Sequence, residues 1–463
     1  MSEPIYSAPA VIIAHFGAGR VTHWRAIDNP RGNGAVTTRG TVFRIASMSK
    51  SFLAATALAL RDEGKLDFER SIDEYVPGVR FVLGTREYSV STAQLLSNCS
   101  GMPEDNAWGD RQLGASREQI SDLGSAGFRL TARPGERYQY SNVGMSLVGR
   151  AIERVVGHSV EEEVQRRFLV PLALHHTRYR AEELPSDSPL APGLRSFDDG
   201  HTFLEEPVAG TGALACIGGL WSTVDDIARW AWFLSSAWDE EPSVDSASRD
   251  ELLLSAQSRR EMQLQHTPIP IGSQTPPRKL DALGYGLGLV AELDRGLGAI
   301  SSHSGGLPGF SSHMRWHRAT GTGVVVFGNS DLFTAARLAI AELAELLSGP
   351  DTSSGQGEPW PETLAAATRF DAVLRAGDPL AGLTDLVAEN FFMDVPAEVR
   401  DRRLRDVRGE LGPLCSRAPF EERILASDDA AHLRWRIDGE QGAIEWEMRM
   451  IGVHAPSAQR LGL

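Results

Sequence analysis

Three short runs in this 463-residue sequence carry side chains whose types and spacing could activate a nucleophile. The first is Ser47-Met48-Ser49-Lys50, at the mouth of an apolar stretch with helical periodicity. A serine hydroxyl is a poor nucleophile until a base takes its proton, and an amine three positions on along a helix lies on the same face, within reach of that hydroxyl. The positive end of the helix dipole would favour negative charge building on Ser47 and disfavour protonation of Lys50. The same spacing also describes a helix cap followed by a solvated lysine, so this run alone decides nothing.

The second run is Arg137 to Asn142 (RYQYSN). Tyr140, with its pKa lowered by nearby cations, could act as a general base, and Asn142 could hold the lysine and donate to a substrate carbonyl. Alone, it reads equally as a buried tyrosine packed before a helix. The third run, His303-Ser304-Gly305-Gly306, falls at the end of an expected strand, with a turn at the two glycines. A strand edge there offers backbone N–H groups to an acyl oxygen, and the glycines let a substrate approach without a Cβ in the way. Taken singly, it is an ordinary glycine-rich hairpin turn.

The surrounding patterns say what would position these groups. Ala8 to Gly17 and Arg20 to Ala26 read as strands split by Gly17-Ala18-Gly19, followed by a loop around Asn29 to Gly34. Leu53, Ala57 and Leu60 recur at helical spacing and predict a helix from about Met48 to Glu63, ended by Gly64. Lys65 to Thr267 is mainly helical segments and loops. Strand patterns return at Gly296 to Ser301, Phe310 to His317 and Gly321 to Asn329, and a helix follows over Leu332 to Leu347. An antiparallel sheet built from both ends of one domain, with a large helical insertion between, accounts for this order and gives an α/β (α+β) fold over residues 1–348. Residues 349–359 (GPDTSSGQGEP) have linker composition. Residues 360–463 form a second, α+β domain. Helices are expected over Pro361 to Arg375, Leu380 to Asn390 and Ala397 to Leu411, followed by a hairpin in which Leu433, Trp435 and Ile437 alternate with arginines and Ile444, Trp446 and Met448 with charged residues. The two tryptophans read as core. This domain suits a lid against the active site or a dimerisation module, a homodimer being the assembly considered.

Composition narrows the partners. A formal charge of -15 and a pI near 5.3 repel nucleic acid phosphate and anionic membrane surfaces. No apolar stretch reaches the roughly 18 residues of a membrane helix. Met1 to Ala10 lacks the pattern of a secretory signal, so with Met1 as the start a cytoplasmic protein is expected. Cys99, Cys216 and Cys415 are odd in number and widely spaced, which predicts reduced, buried thiols and neither a disulfide framework nor a metal site. Adjacent His175 and His176 do not have ligand spacing. In Gly144 to Gly149 (GMSLVG) the second glycine is one place too late for a nucleophile elbow, so Ser146 is not the nucleophile. No cofactor is called for.

Taken together, the three runs stand in the order seen in the serine β-lactamase and penicillin-binding-protein superfamily, which the chain resembles over roughly residues 8–347. The likeness is to the class C-like branch that includes family VIII carboxylesterases and D-stereospecific aminopeptidases. It extends to Phe43-Arg44-Ile45-Ala46, Leu95 to Pro103 (LLSNCSGMP), Pro171 to Thr177 (PLALHHT), Gly218 to Asp226 (GGLWSTVDD) and His303 to Phe310 (HSGGLPGF). The resemblance implies a hydrolase acting on a small ester or amide. Ser47 would form the acyl-enzyme, Lys50 assist its deprotonation, Tyr140 relay the proton to the leaving group and Asn142 steer Lys50 and the substrate. The N–H groups of Ser47 and Gly306 would form the oxyanion hole. The same site would serve a D-aminopeptidase, DD-peptidase, β-lactamase or acyltransferase, and a binding protein without turnover would keep only the fold. His303 stands where many relatives carry lysine, which removes a fixed positive charge for a substrate carboxylate. Asn98 stands where relatives often have histidine and is read as structural.

Overall fold

The computed structural model describes residues 7–28, 36–239, 250–272, 278–348, 359–415, 418–427 and 429–462. The loop expected around Asn29 to Gly34 and all of the expected linker except Pro359 lie outside these residues. The chain divides into two compact units, Met1–Thr352 and Ser353–Leu463.

The first unit is organised by an eight-stranded antiparallel sheet. Its strands are β1 (Ala10–Gly17), β2 (Arg20–Asp28), β3 (Thr267–Pro268), β4 (Leu280–Tyr285), β5 (Val290–Asp294), β6 (Gly298–Leu307), β7 (Phe310–His317) and β8 (Gly323–Gly328), in the order β3-β4-β5-β6-β7-β8-β1-β2. The two ends of the unit meet where β1 pairs with β8, Val11 opposite Gly328 and Phe16 opposite Gly323. Side chains alternate across the sheet, and helices bury both faces. Ile12, Ala14, Phe16, Met314, Trp316 and Phe327 join the main core, while Val11, Ile13, Ile300, Val324 and Val326 pack with the C-terminal helix Ala335–Leu347. Helix α1 (Ser49–Asp62) runs through the main core, buried from Ser49 to Leu60. A helix apolar all round needs cover all round. Part of that cover is Trp230, whose ring stacks on Phe52 at 3.9 Å.

The expected strands and α1 are present with small changes of boundary. The larger difference concerns the third run: Gly305 and Gly306 do not form a turn. Strand β6 continues through them to Leu307, and the chain reverses at Pro308-Gly309. Pairing of Gly305 with Ser312 and of Gly306 with Ser311 on β7 keeps both in the strand, and at Gly305 a side chain has no room. A Cβ would lie 2.2 Å from the Ile45 carbonyl oxygen.

The second unit packs two long helices, Pro361–Ala376 and Ala397–Leu411, with a four-stranded antiparallel sheet of Ile424–Ala426, His432–Gly439, Gly442–Met450 and Ala458–Gly462. Trp435 and Trp446 are directly opposed across the central hairpin, and both are buried. The helix expected over Leu380 to Asn390 is absent. A 3-10 turn at Leu380–Leu383 is followed by a bridge between Val387 and Ala458 and a short helix at Asn390–Asp394. Gly382 weakens helix formation there, and Asp401 takes the Leu380 N–H at 2.8 Å.

Of the cysteines, Cys216 is buried, Cys99 half-buried and Cys415 exposed, so Cys415 departs from the expectation of buried thiols. No helix among the described residues is long and apolar enough to cross a membrane.

Candidate active site

Ser47 is the middle residue of a 3-10 turn, Ala46–Met48, that feeds directly into α1. Ala46 adopts φ +49, in the left-handed region that costs an L residue energy unless its surroundings hold it there. They do. Ser49 Oγ donates to the Ala46 carbonyl at 2.7 Å and accepts from the Leu220 N–H at 3.2 Å. The Ile45 carbonyl accepts from Ser312 Oγ at 2.7 Å. The turn is thus pinned to both the sheet and the helical region.

Lys50, the second residue of α1 and one turn on from Ser47, is fully buried. Its Nζ donates to Ser47 Oγ at 3.0 Å and to the Ile217 carbonyl at 2.9 Å, and lies 4.9 Å from the centre of the Tyr140 ring. Burial pushes the Lys50 pKa down to about 7, against the opposing charges of Asp110 and Asp105. Tyr140 behaves contrary to expectation. Loss of solvent drives its phenol well above the usual range, outweighing the lowering effect of its hydrogen bond to Ser47. It is a neutral phenol near neutral pH.

The segment bearing Tyr140 is fixed by two residues outside it. Asn98, itself at φ +56, accepts the Gln139 N–H with its carbonyl at 2.8 Å and the Ser141 N–H with its side chain at 3.0 Å. Asp105 caps the next helix, α2 (Asn142–Val156), accepting from Ser141 Oγ at 2.8 Å, Asn142 N–H at 2.6 Å and Val143 N–H at 3.0 Å. The expected contact of Asn142 with Lys50 is not made. Asn142 Nδ2 donates to Asn106 Oδ1 at 3.0 Å, its Cβ packs on Gly109, and the Ile217 carbonyl takes its place at Lys50.

His303 lies within β6, where its tautomer follows from its partners. Nδ1 is 2.6 Å from the Ser304 carbonyl, which can only accept, so Nδ1 carries the proton. Burial holds the ring's pKa down near 3, so the ring is neutral and Nε2 accepts from the Tyr285 hydroxyl at 2.9 Å. Ser304 Oγ is 2.8 Å from His313 Nδ1 on the neighbouring strand. Strand β5 begins at Val290, opposite Ser302, so β6 continues past its partner and leaves the edge from His303 to Leu307 without a strand on that side. A Cβ on Gly306 would meet nothing within 4 Å.

These elements enclose a cleft of about 530 Å³. Ser47, Tyr140, His303, Ser304 and Gly306 line it, together with Glu104, Asn106, Asp110, Tyr138, Gln139, Tyr285 and Val290. Lys50 sits behind Ser47, and Gly305 beneath the edge against Ile45 and Ala46. Asn142 is set back from the cleft. Ser146 is not exposed to it either: its hydroxyl donates to the Val143 carbonyl at 2.7 Å inside α2. No group of three or more His, Cys, Asp or Glu among the described residues is placed to hold a metal.

The beta-lactamase family profile matches residues 6–348, the stretch that carries the sheet, α1 and every residue of the cleft. The chain belongs to the beta-lactamase family. Members of this family are serine hydrolases, amidases and β-lactamases among them. Protein flp of Staphylococcus aureus is 29% identical over 142 residues, 30% of this chain and 28% of that protein. Penicillin-binding protein 4* of Bacillus subtilis is 26% identical over 143 residues, 30% of each chain. This chain thus spans less than a third of the length of these curated relatives. Among solved structures, the octameric penicillin-binding protein homologue from Pyrococcus abyssi aligns with a TM-score of 0.60 and 21% identity, covering 97% of this chain and 88% of that one. The D-amino acid amidase from Ochrobactrum anthropi aligns at 0.57 and 20% identity, covering 73% and 94%. At these identities the structural likeness shows the fold.

Seven of the cleft-lining residues, Glu104, Asn106, Asp110, Tyr138, Gln139, Tyr285 and Val290, were not among the site residues expected from sequence. Neither were Asp105 and the Ile217 carbonyl, which act from behind the lining; Asn98, read from sequence as structural, holds the Gln139–Ser141 backbone. Their partners lie far along the chain, and a backbone carbonyl leaves no signature in residue type.

Proposed function

We propose that this protein is a serine hydrolase that cleaves a small ester or amide through a covalent acyl-enzyme on Ser47. The observation that carries the reading is the 3.0 Å hydrogen bond between Lys50 Nζ and Ser47 Oγ at the wall of the cleft. With its pKa near 7, Lys50 has a neutral amine available at neutral pH to take the Ser47 proton as the oxygen attacks the substrate carbonyl. The N–H groups of Ser47 and Gly306 are the donors for the oxyanion, and losing one such donor costs about 3 to 4 kcal/mol in comparable hydrolases. Tyr140, a protonated phenol beside both groups, passes its proton to the leaving group and is reprotonated from Lys50. A water molecule then attacks the acyl-enzyme by the same route in reverse, and Ser47 regains its proton.

Of the two partners, Lys50 suits the role of base and Tyr140 that of relay, because burial drives their pKa values in opposite directions. The neutral His303 favours esters and amides over β-lactams or peptides ending in a carboxylate, which it gives no positive charge to meet. The test is labelling of the purified protein with a fluorophosphonate, followed by intact mass, alongside turnover of p-nitrophenyl butyrate. One adduct and measurable hydrolysis are expected, both abolished in Ser47→Ala. A parent protein that neither labels nor turns over, and is indistinguishable from Ser47→Ala, defeats the proposal.

A further inference from the structure

We infer that the substrate carries a cationic ammonium group, seated in the cleft against the Asp110 carboxylate and the rings of Tyr138 and Tyr285. This rests on the hydrolase reading of the same cleft and names its substrate class.

Asp110 lines the cleft half-buried, and its carboxylate makes no hydrogen bond or ion pair among the described residues. Burial raises its pKa to about 6, which leaves it mostly ionised at neutral pH. A carboxylate withdrawn from water without a direct partner is costly, and an ammonium seated against it supplies a charge in contact, whereas Lys50 and Arg111 act on it only through space. The nearby guanidinium groups are engaged elsewhere. Arg111 pairs with Glu206, while Arg44 donates to the carbonyls of Ala209 at 3.2 Å and Gly219 at 3.4 Å and lies over the Trp221 ring.

The rest of this wall has the same sign. Glu104 adds a second carboxylate, close enough to help raise the Tyr138 phenol after burial has done so. The Tyr138 and Tyr285 rings, 5.8 Å apart between centres, both line the cleft, and the π face of a tyrosine attracts an organic cation. Gln139 Oε1 is a buried acceptor without a donor. Against this stands no fixed cation in the lining: His303 is neutral, and Lys50 lies behind Ser47 with its charge shared between Ser47 and the Ile217 carbonyl. The lining is therefore rich in acceptors and negative charge, complementary to a cation and repulsive to an anion.

Two matched substrate pairs test this, one with the charge on each side of the scissile bond. They are butyrylcholine against 3,3-dimethylbutyl butyrate, and p-nitrophenyl 4-(trimethylammonio)butyrate against p-nitrophenyl 5,5-dimethylhexanoate. In at least one pair the cationic ester should have a kcat/KM about tenfold higher than its neutral isostere, and Asp110→Asn should remove that preference. Taking the ratio within each variant cancels any effect of Asp110 on Lys50 that both esters share. Ratios near one in both pairs, or a preference that survives Asp110→Asn, overturn the inference while leaving the hydrolase reading intact. If no ester is turned over and the protein takes no fluorophosphonate label, it is the hydrolase reading that fails. Calorimetric titration of Ser47→Ala with butyltrimethylammonium then decides the inference by itself: binding that disappears in Ser47→Ala/Asp110→Asn supports it, and no binding, or binding unchanged by the second substitution, refutes it.

Discussion

Replacing Gly305 by alanine should disable the site while leaving the fold in place, and the magnitude follows from three distances. The new Cβ would lie 2.2 Å from the Ile45 carbonyl oxygen, 2.3 Å from Ser312 Oγ and 3.0 Å from Ala46 Cβ. Restoring ordinary contact requires about 1 Å of separation between β6 and the turn that carries Ser47, since carbon–carbon contacts settle near 3.5 Å or more. The displaced atoms are the ones that hold the turn, because Ile45 O is bonded to Ser312 Oγ at 2.7 Å. A misplacement of about 1 Å at a reacting group costs on the order of 100-fold in rate. Overpacking of this kind destabilises by about 1–3 kcal/mol, which a unit of this size survives. The assay is kcat/KM for p-nitrophenyl butyrate together with thermal unfolding, with Gly306→Ala as a control whose Cβ meets nothing within 4 Å and whose Tm should match the parent. Activity of Gly305→Ala within about threefold of the parent would refute the claim that close approach of β6 sets the position of Ser47.

Four further outcomes are expected. Because Lys50 must be neutral to accept a proton and its pKa lies at about 7, kcat/KM should rise as pH rises through 7 and level off above it. Asp110→Asn removes a charge that favours the protonated amine and should move that limb to lower pH; a limb that stays put or moves up contradicts the assignment of Lys50 as base. Tyr140→Phe should lower kcat by about 10²–10⁴ with little change in Tm, and a loss below tenfold would remove Tyr140 from the proton path. In the second unit, Asp371→Ala strands Arg423 in the core, where the two groups now pair with each side chain only 6% exposed. Urea denaturation followed by tryptophan fluorescence should show a loss of about 3–5 kcal/mol in the transition of the second unit, and a change under 1 kcal/mol would mean that Arg423 finds other partners.

The sheet was legible from sequence because its strands carry their own signals: Phe310 to His317 and the two N-terminal runs combine apolar content with flanking glycine turns. Ser47 and Lys50 were legible because both sit on one helix at fixed spacing, so local geometry alone brings them together. Tyr140 and the β6 edge could be placed beside them only through the family likeness, since nothing local relates residue 140 to residue 47. What could not be read depends on tertiary surroundings. The sequence pattern suggested a lowered Tyr140 pKa, and burial produces a raised one. Gly305-Gly306 has the composition of a turn, yet pairing with Ser312 and Ser311 on β7 holds it in a strand, and the glycine at 305 leaves room for the turn of Ser47. Asn142 was expected at Lys50, but its partner Asn106 comes from a one-turn helix, Asn106–Gly109, with no motif of its own.

The short stretch from residue 104 to residue 110 interleaves two duties. Asp105 anchors the start of α2 through Ser141, Asn142 and Val143, while its neighbours Glu104 and Asp110 face the cavity. Selectivity and the placement of the Tyr140 phenol are therefore written on one short segment, so drift at positions 104 and 110 can redirect the choice of molecule at little structural cost. A change at 105 would let the proton-handling segment loosen with it. A lineage adapting to new molecules is thus expected to vary around that aspartate while keeping the aspartate itself.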